Sequence, residues 1–113
     1  MAAPRLGLPL GCSALALLAV LYCLPGHPSA GRSIAFDVLA HVGLFAGIGL
    51  WFGWFTQRRG WVLLALAALA ALLEVAQWRI AGFRHLEWGD VLGNEAGLLL
   101  AWVGLWLLDK MRR

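Results

Sequence analysis

Four uninterrupted apolar runs, each of about 20 residues, constrain the fold of this chain more than any other feature. They cover about 6–25, 36–55, 61–81 and 90–108, and short polar segments separate them. Because a helix rises about 1.5 Å per residue, each run can cross a hydrocarbon core of about 30 Å. Only 13% of the 113 residues are charged, whereas soluble domains have about 25%. The pattern predicts a multi-pass membrane protein and excludes a soluble enzyme.

The runs are expected to be helices, since their apolarity is continuous and does not alternate. An open sheet in lipid would also leave backbone groups unpaired. The linker 56–60 is short enough to require a tight antiparallel hairpin of helices. The first run is interpreted as an uncleaved helix, because Pro28 makes the following segment a poor signal-peptide cleavage site. The sequence therefore predicts an all-α integral membrane four-helix bundle with short loops, forming one domain over 1–113.

The distribution of cations predicts the orientation of this bundle. With four spans, six cations lie on one side and three on the other. The larger group is Arg5, Arg58, Arg59, Lys110, Arg112 and Arg113, and the smaller group is Arg32, Arg79 and Arg84. The excess predicts that both termini are cytoplasmic. The net charge of +3 comes from these loop cations, so no nucleic-acid partner is expected.

Small residues recur at a spacing of four along two of the predicted helices. The series are Gly43 and Gly47, Gly49 and Gly53, and Gly93, Gly97 and Ala101. This spacing lets helix backbones approach closely, so we expect it to serve helix packing. Close approach of a ligand is the alternative interpretation.

Ionisable and amide residues lie inside the predicted spans, where a charged group costs roughly 2.5 to 3.5 kcal/mol on insertion scales. They are Asp37 and His41, Glu74 and Gln77, and Asp90 and Asn94 with Glu95 adjacent. With alternating helix directions, the three pairs fall at one membrane level, the outer one. One interpretation is interhelical hydrogen bonding worth about 0.6 kcal/mol per pair. The shared level favours the other interpretation, a polar pocket, with Arg84 folding over it as a compensating cation.

The order of these residues resembles the VanZ-like family of membrane proteins. The similarity rests on four motifs over about 24–108: Asp37-x-x-x-His41, Glu74-x-x-Gln77, Arg84 followed at six residues by Asp90, and Asp90-x-x-x-Asn94-x-x-Gly97. The Leu24-Pro25-Gly26 turn is also similar to that family's first loop.

The chain departs from the family pattern at three places. Val38 stands where the family often has lysine, which removes one possible anion contact. Ala81-Gly82-Phe83 replaces a Pro-Gly turn, and Glu87 stands where a small hydroxyl residue is common.

The resemblance implies a multi-pass protein of the bacterial cytoplasmic (inner) membrane. The family's namesake is associated with resistance to the glycopeptide antibiotic teicoplanin, so a link to such resistance is an expectation of the resemblance alone. The first hypothesis is that an outward-facing polar pocket binds or modifies a lipid-linked or peptidoglycan-related component of the cell envelope. A small dimeric proton-coupled transporter and a non-catalytic membrane scaffold are the alternative hypotheses.

Roles for the polar residues follow from the first hypothesis. The candidate catalytic residues are Asp37, His41, Glu74 and Asp90, and the candidate substrate-binding residues are Gln77, Arg84 and Asn94. The carboxylates and the imidazole are general acid–base groups, whereas the guanidinium and amides bind polar groups. His41, Glu74 and Asp90 could supply three metal ligands, but neither an HExxH motif nor a cysteine pair accompanies them, so no metal site is predicted. No cofactor is identified, the lipid bilayer is the expected partner, and the oligomeric state stays open.

Overall fold

A computed structural model describes residues 3–24, 34–82 and 86–112 of the chain. Within these ranges it consists of four helices: α1 (Ala3–Cys23), α2 (Ile34–Phe55), α3 (Arg59–Arg79) and α4 (Trp88–Met111). All four are long and apolar enough to cross a membrane, and the described residues contain no strand. The predicted all-α class is confirmed, and each helix begins and ends within three residues of its predicted bounds.

The helix connections are short, as the sequence predicts. Between α2 and α3 the chain turns over Thr56–Arg58, and the backbone N–H of Arg58 donates to the Thr56 hydroxyl oxygen at 3.3 Å. After α3, the N–H of Ile80 donates to the carbonyl of Ala76, and Gly82 follows with a φ of +85°. Glycine suits this left-handed conformation because it has no Cβ to clash.

The helices α2 and α4 make the most extensive contact in the bundle. The α3 helix packs against both of them, and α1 packs against α2 and α3; within the described residues, no Cα atom of α1 lies within 8 Å of one in α4. The buried apolar core draws on all four helices and includes Tyr22, Phe45, Leu66, Leu73 and Leu98.

The glycine spacing accounts for the close approach of α2 and α4. A Cβ at Gly97 would collide with the backbone of α2 at Val42 and Ala46, and a Cβ at Gly93 would lie 3.0 Å from the Val38 carbonyl. The packing interpretation is confirmed for this pair. Gly43 and Gly47 differ, because a Cβ there would meet nothing within 4 Å.

One end of the bundle carries an ion pair. Arg59 at the start of α3 binds the carboxylate of Asp109 near the end of α4, and its Nε donates to the Gly53 carbonyl at 3.1 Å. Nearby, the Trp51 indole N–H donates to the Gly7 carbonyl of α1 at 2.7 Å. The start of α1 and the end of α4 therefore lie at this end, which we call the ion-pair end.

Candidate functional site

The opposite end of the bundle holds a group of polar side chains contributed by all four helices. We call it the polar cluster, and its members are Tyr22 of α1, His41 of α2, Glu74 of α3, and Asp90 and Asn94 of α4. Each member lies near the end of its helix: α3 continues for only five residues after Glu74, or about 7.5 Å. Four of the candidate residues, His41, Glu74, Asp90 and Asn94, thus come together at one end of the bundle.

Glu74 is the centre of the polar cluster. Its side chain is 1% exposed, and its Oε1 accepts hydrogen bonds from the Tyr22 hydroxyl at 2.8 Å and from the Asn94 amide at 2.9 Å. These two donors come from α1 and α4, so one carboxylate links three helices. The Nε2 atom of His41 lies 3.8 Å from the same Oε1.

His41 lies between the two carboxylates of the cluster. Its Nδ1 is 2.7 Å from the Asp37 backbone carbonyl and 3.5 Å from Asp90 Oδ1. A carbonyl oxygen only accepts hydrogen bonds, so the contact with Asp37 requires a proton on Nδ1. In neutral imidazole the lone pair then lies on Nε2, the nitrogen that faces Glu74.

Exposure falls steeply from one side of the cluster to the other. The side chains of His41 and Asp90 are 22% and 18% exposed, whereas Glu74 is 1% and Asn94 is 0% exposed. A molecule would therefore reach the cluster past His41 and Asp90 and meet the buried groups behind them.

The buried members of the polar cluster do not use all of their hydrogen-bond acceptors. Among the described residues, Glu74 Oε2 and Asn94 Oδ1 are both shielded from solvent and accept no hydrogen bond. The neighbouring Glu95 has an oxygen in the same condition, although its side chain is not part of the cluster. A buried acceptor without a partner costs about 1–3 kcal/mol, which a purely structural cluster would avoid.

The donor atoms are also close enough to share a metal ion. One ligand atom each from His41, Glu74 and Asp90 can be chosen so that all lie within 4.8 Å of one another. The sequence offers the same three residues as possible ligands, but no metal site was predicted because no metal-binding motif accompanies them.

The other three of the seven candidate residues have no side chain among the described members of the polar cluster. Asp37 contributes its backbone carbonyl to the hydrogen bonds of the cluster. Gln77 is half-buried, and its side chain forms no hydrogen bond with the cluster within the described part of the chain. Arg84, the predicted compensating cation, lies outside the described residues. Across residues 3–24, 34–82 and 86–112, no arginine or lysine pairs with Glu74 or Asp90.

Tyr22 is a member that sequence reasoning did not identify. It is 6% exposed and lies next to the last residue of α1, a helix that was given no part in the site. The available signal was its position as the single tyrosine of the chain, at the end of the first apolar run, level with the other polar residues.

An apolar groove of about 640 Å³ runs between α1 and α2. Its lining includes Leu18 and Leu21 of α1 and the open glycines Gly43 and Gly47 of α2. Leu21 directly precedes Tyr22 along the chain, and Gly43 comes two residues after His41. One end of the groove therefore lies at the level of the polar cluster along the bundle, although no member of the cluster lines it.

Comparison of the chain with family models, curated proteins and solved structures finds no match.

Proposed function

We propose that this chain is a VanZ-like protein of the bacterial inner membrane that binds or modifies a lipid-linked component of the cell envelope at the polar cluster. In this proposal both termini are cytoplasmic, so the cluster opens at the outer face. The observation that carries it is the placement of Glu74, a buried carboxylate that meets polar groups from the other three helices.

The hydrogen-bonding state of the cluster favours a binding site over a structural role. Residues that only hold helices together would satisfy one another, because a half-satisfied buried network is less stable than an apolar core. Here Glu74 Oε2 and Asn94 Oδ1 have no partner among the described residues. A bound molecule that supplies a cation or hydrogen-bond donors would complete the network.

The neighbouring groove favours a lipid-linked molecule over a free one. A lipid places its polar head at the membrane surface and its chain along the helices, and the groove between α1 and α2 reaches the level of the polar cluster along the bundle. The geometry supports binding most directly. The acid–base roles of Asp37, His41, Glu74 and Asp90, and the binding roles of Gln77, Arg84 and Asn94, stay predictions.

A binding measurement on the purified protein tests this proposal. Native mass spectrometry in detergent would compare a polyprenyl-linked sugar, whose hydroxyl groups donate hydrogen bonds, with the corresponding polyprenyl phosphate, which has the same chain without the sugar. We expect tighter binding of the sugar-linked lipid, a loss with Glu74→Gln, and no loss with Glu95→Gln, the matched carboxyl-to-amide change next to the cluster. Equal binding of both lipids by all three proteins would contradict the proposal.

A genetic measurement tests the envelope role. In the bacterium that carries the gene, deletion is expected to alter the lipid-linked precursors seen by lipid mass spectrometry and the susceptibility to glycopeptides. Glu74→Gln and Arg84→Ala should reproduce the deletion although the protein is still inserted. Wild-type behaviour of both variants would remove the cluster from the function.

A proton-coupled transporter is the second candidate, favoured by one observation. Gly43 and Gly47 leave an open surface on α2, which a second copy could cover to enclose a path that four helices alone do not provide. Glu74 would then be the proton-exchanging group. Crosslinking in membranes separates the two candidates, because transport requires dimers whereas lipid binding to the cluster does not.

A further inference from the structure

We propose that the polar cluster binds a divalent first-row transition metal ion, held by His41 Nε2, the carboxylates of Glu74 and Asp90, and the amide oxygen of Asn94. The first three residues come from three different helices, and one ligand atom from each, a ring nitrogen in the case of His41, lies within 4.8 Å of the other two. The inference does not rest on the proposed lipid ligand, since every atom it uses belongs to the chain.

The cluster is a set of electron-pair donors that face one another. Glu74 Oε1 lies 3.8 Å from His41 Nε2, and both are acceptors when the imidazole proton is on Nδ1. Among the described residues, Glu74 Oε2 and Asn94 Oδ1 are two further buried acceptors without a partner. Among the described residues no arginine or lysine pairs with these carboxylates, and a metal ion would supply them with a positive charge.

The side chain of Asn94 gives evidence independent of the carboxylates. It is 0% exposed, and its amide nitrogen donates to Glu74 while its oxygen has no partner in the described structure. Because both atoms belong to one short planar group, the unpartnered oxygen is held beside Glu74. Amide oxygens are ligands for hard and borderline cations.

The ligands are oriented by further hydrogen bonds, as in established metal sites. The Nδ1–H of His41 is held by the Asp37 carbonyl at 2.7 Å, which leaves Nε2 for the metal. The Tyr22 hydroxyl holds Glu74 Oε1 at 2.8 Å. Such outer contacts set the tautomer and direction of a ligand, and their loss typically weakens metal binding about 10- to 100-fold.

The distances require only a small closure of the site. Metal–ligand bonds of about 2.0–2.2 Å place neighbouring ligands of a tetrahedral ion about 3.3–3.6 Å apart. The ligand atoms of His41, Glu74 and Asp90 lie within 4.8 Å of one another, so side-chain movements of about 1–1.5 Å bring them into range. His41 and Asp90 can make this movement because they are partly exposed.

The donor types indicate which ions would bind. Imidazole suits zinc and iron, whereas carboxylate and amide oxygens suit manganese, so the mixed set fits Mn²⁺, Fe²⁺ or Zn²⁺. A copper(I) or thiolate-rich zinc site is not expected, because Cys12 and Cys23 are free and neither belongs to the polar cluster.

Manganese binding to the purified full-length protein tests the proposal without any lipid ligand. The protein would be stripped with a chelator and titrated with Mn²⁺, with free and bound ion followed by electron paramagnetic resonance. We expect a single ion per chain, displaced by Zn²⁺, with a nitrogen coupling that disappears in His41→Gln. The variants Glu74→Gln and Asp90→Asn should weaken binding at least tenfold, and Glu95→Gln should leave it unchanged.

Circular dichroism and size exclusion would verify that each variant is folded. If Glu74→Gln does not fold, Asp90→Asn still decides the question, because Asp90 is partly exposed at the start of α4. Failure of the wild-type protein to bind Mn²⁺ or Zn²⁺ would overturn the proposal, as would binding that is the same in Asp90→Asn and Glu95→Gln. Either result could coexist with lipid binding, so the two proposals fail separately.

Discussion

The carboxylates at the two ends of this bundle differ in their exposure and in their basic partners. At the ion-pair end, Asp109 is matched by Arg59, and both side chains keep contact with solvent, at 46% and 27% exposure. In the polar cluster, Glu74 is 1% exposed, and its nearest basic partner among the described residues is a half-buried imidazole at 3.8 Å. Both ends use side chains of α3 and α4: Arg59 and Asp109 at one end, Glu74 and Asp90 at the other.

This difference distinguishes charged groups that stabilise the fold from charged groups that we propose serve ligand binding. An ion pair near the membrane surface needs little desolvation and satisfies itself. A buried carboxylate without a cation is costly unless something else completes it. The polar cluster is therefore the region where a ligand has the most to contribute, and the ion-pair end provides a control on the same helices.

The largest expected effect is the difference in lipid binding between the variants Glu74→Gln and Asp109→Asn. Both changes replace a carboxylate with its amide. Glu74→Gln neutralises the central acceptor of the polar cluster and should reduce binding of the polyprenyl-linked sugar at least about tenfold, equivalent to about 1.4 kcal/mol. Asp109→Asn should leave lipid binding unchanged. Native mass spectrometry measures both, and equal losses would show that the two ends do not differ in role.

The next effect concerns the glycines that set the distance between α2 and α4. Gly97→Ala drives a methyl group into the backbone of α2 beside the polar cluster and should lower the free energy of unfolding by about 1–3 kcal/mol. Gly53→Ala, toward the ion-pair end, meets the tip of the Leu105 side chain and should cost less. Thermal unfolding in detergent checks the order, with Gly47→Ala as the open-surface control; a larger loss for Gly53→Ala would contradict it.

A smaller effect is expected for Tyr22→Phe. The change removes one hydrogen bond to Glu74 Oε1 and should cost about 0.5–1.5 kcal/mol of stability. It should also weaken Mn²⁺ binding, because the tyrosine orients a ligand. Unfolding and titration of the same sample measure both. A loss of stability with unaltered Mn²⁺ affinity would mean that Tyr22 serves packing alone.

The smallest effect is expected when the ion pair is removed. Asp109→Asn should lower the free energy of unfolding by only about 0.2–1 kcal/mol, because both partners are partly exposed. The difference from the wild type should shrink at high salt, since screening weakens the pair. Thermal unfolding at low and high ionic strength measures it; a difference that is large and independent of salt would indicate a contact unlike the one described.

The candidate site was predictable in part. Intramembrane polar residues are rare enough to stand out, so His41, Glu74, Asp90 and Asn94 could be grouped from helix ends and spacing alone. Gln77 was grouped with them for the same reason, yet its side chain forms no hydrogen bond to the cluster among the described residues. Tyr22 was overlooked because a tyrosine near a helix end is ordinarily interpreted as a membrane-interface residue.

The number of helices, their bounds and the level of the polar residues follow from the sequence alone, because bilayer thickness converts apolar length directly into spans. Rotation of each helix about its axis does not follow. These helices are apolar on nearly all faces, so their patterns do not indicate which side packs inward. Only the tertiary structure decides that Tyr22 and Asn94 point at Glu74 and that Gly97 meets the α2 backbone while Gly47 stays open. It also decides that, within the described residues, the buried Glu74 has no arginine or lysine partner.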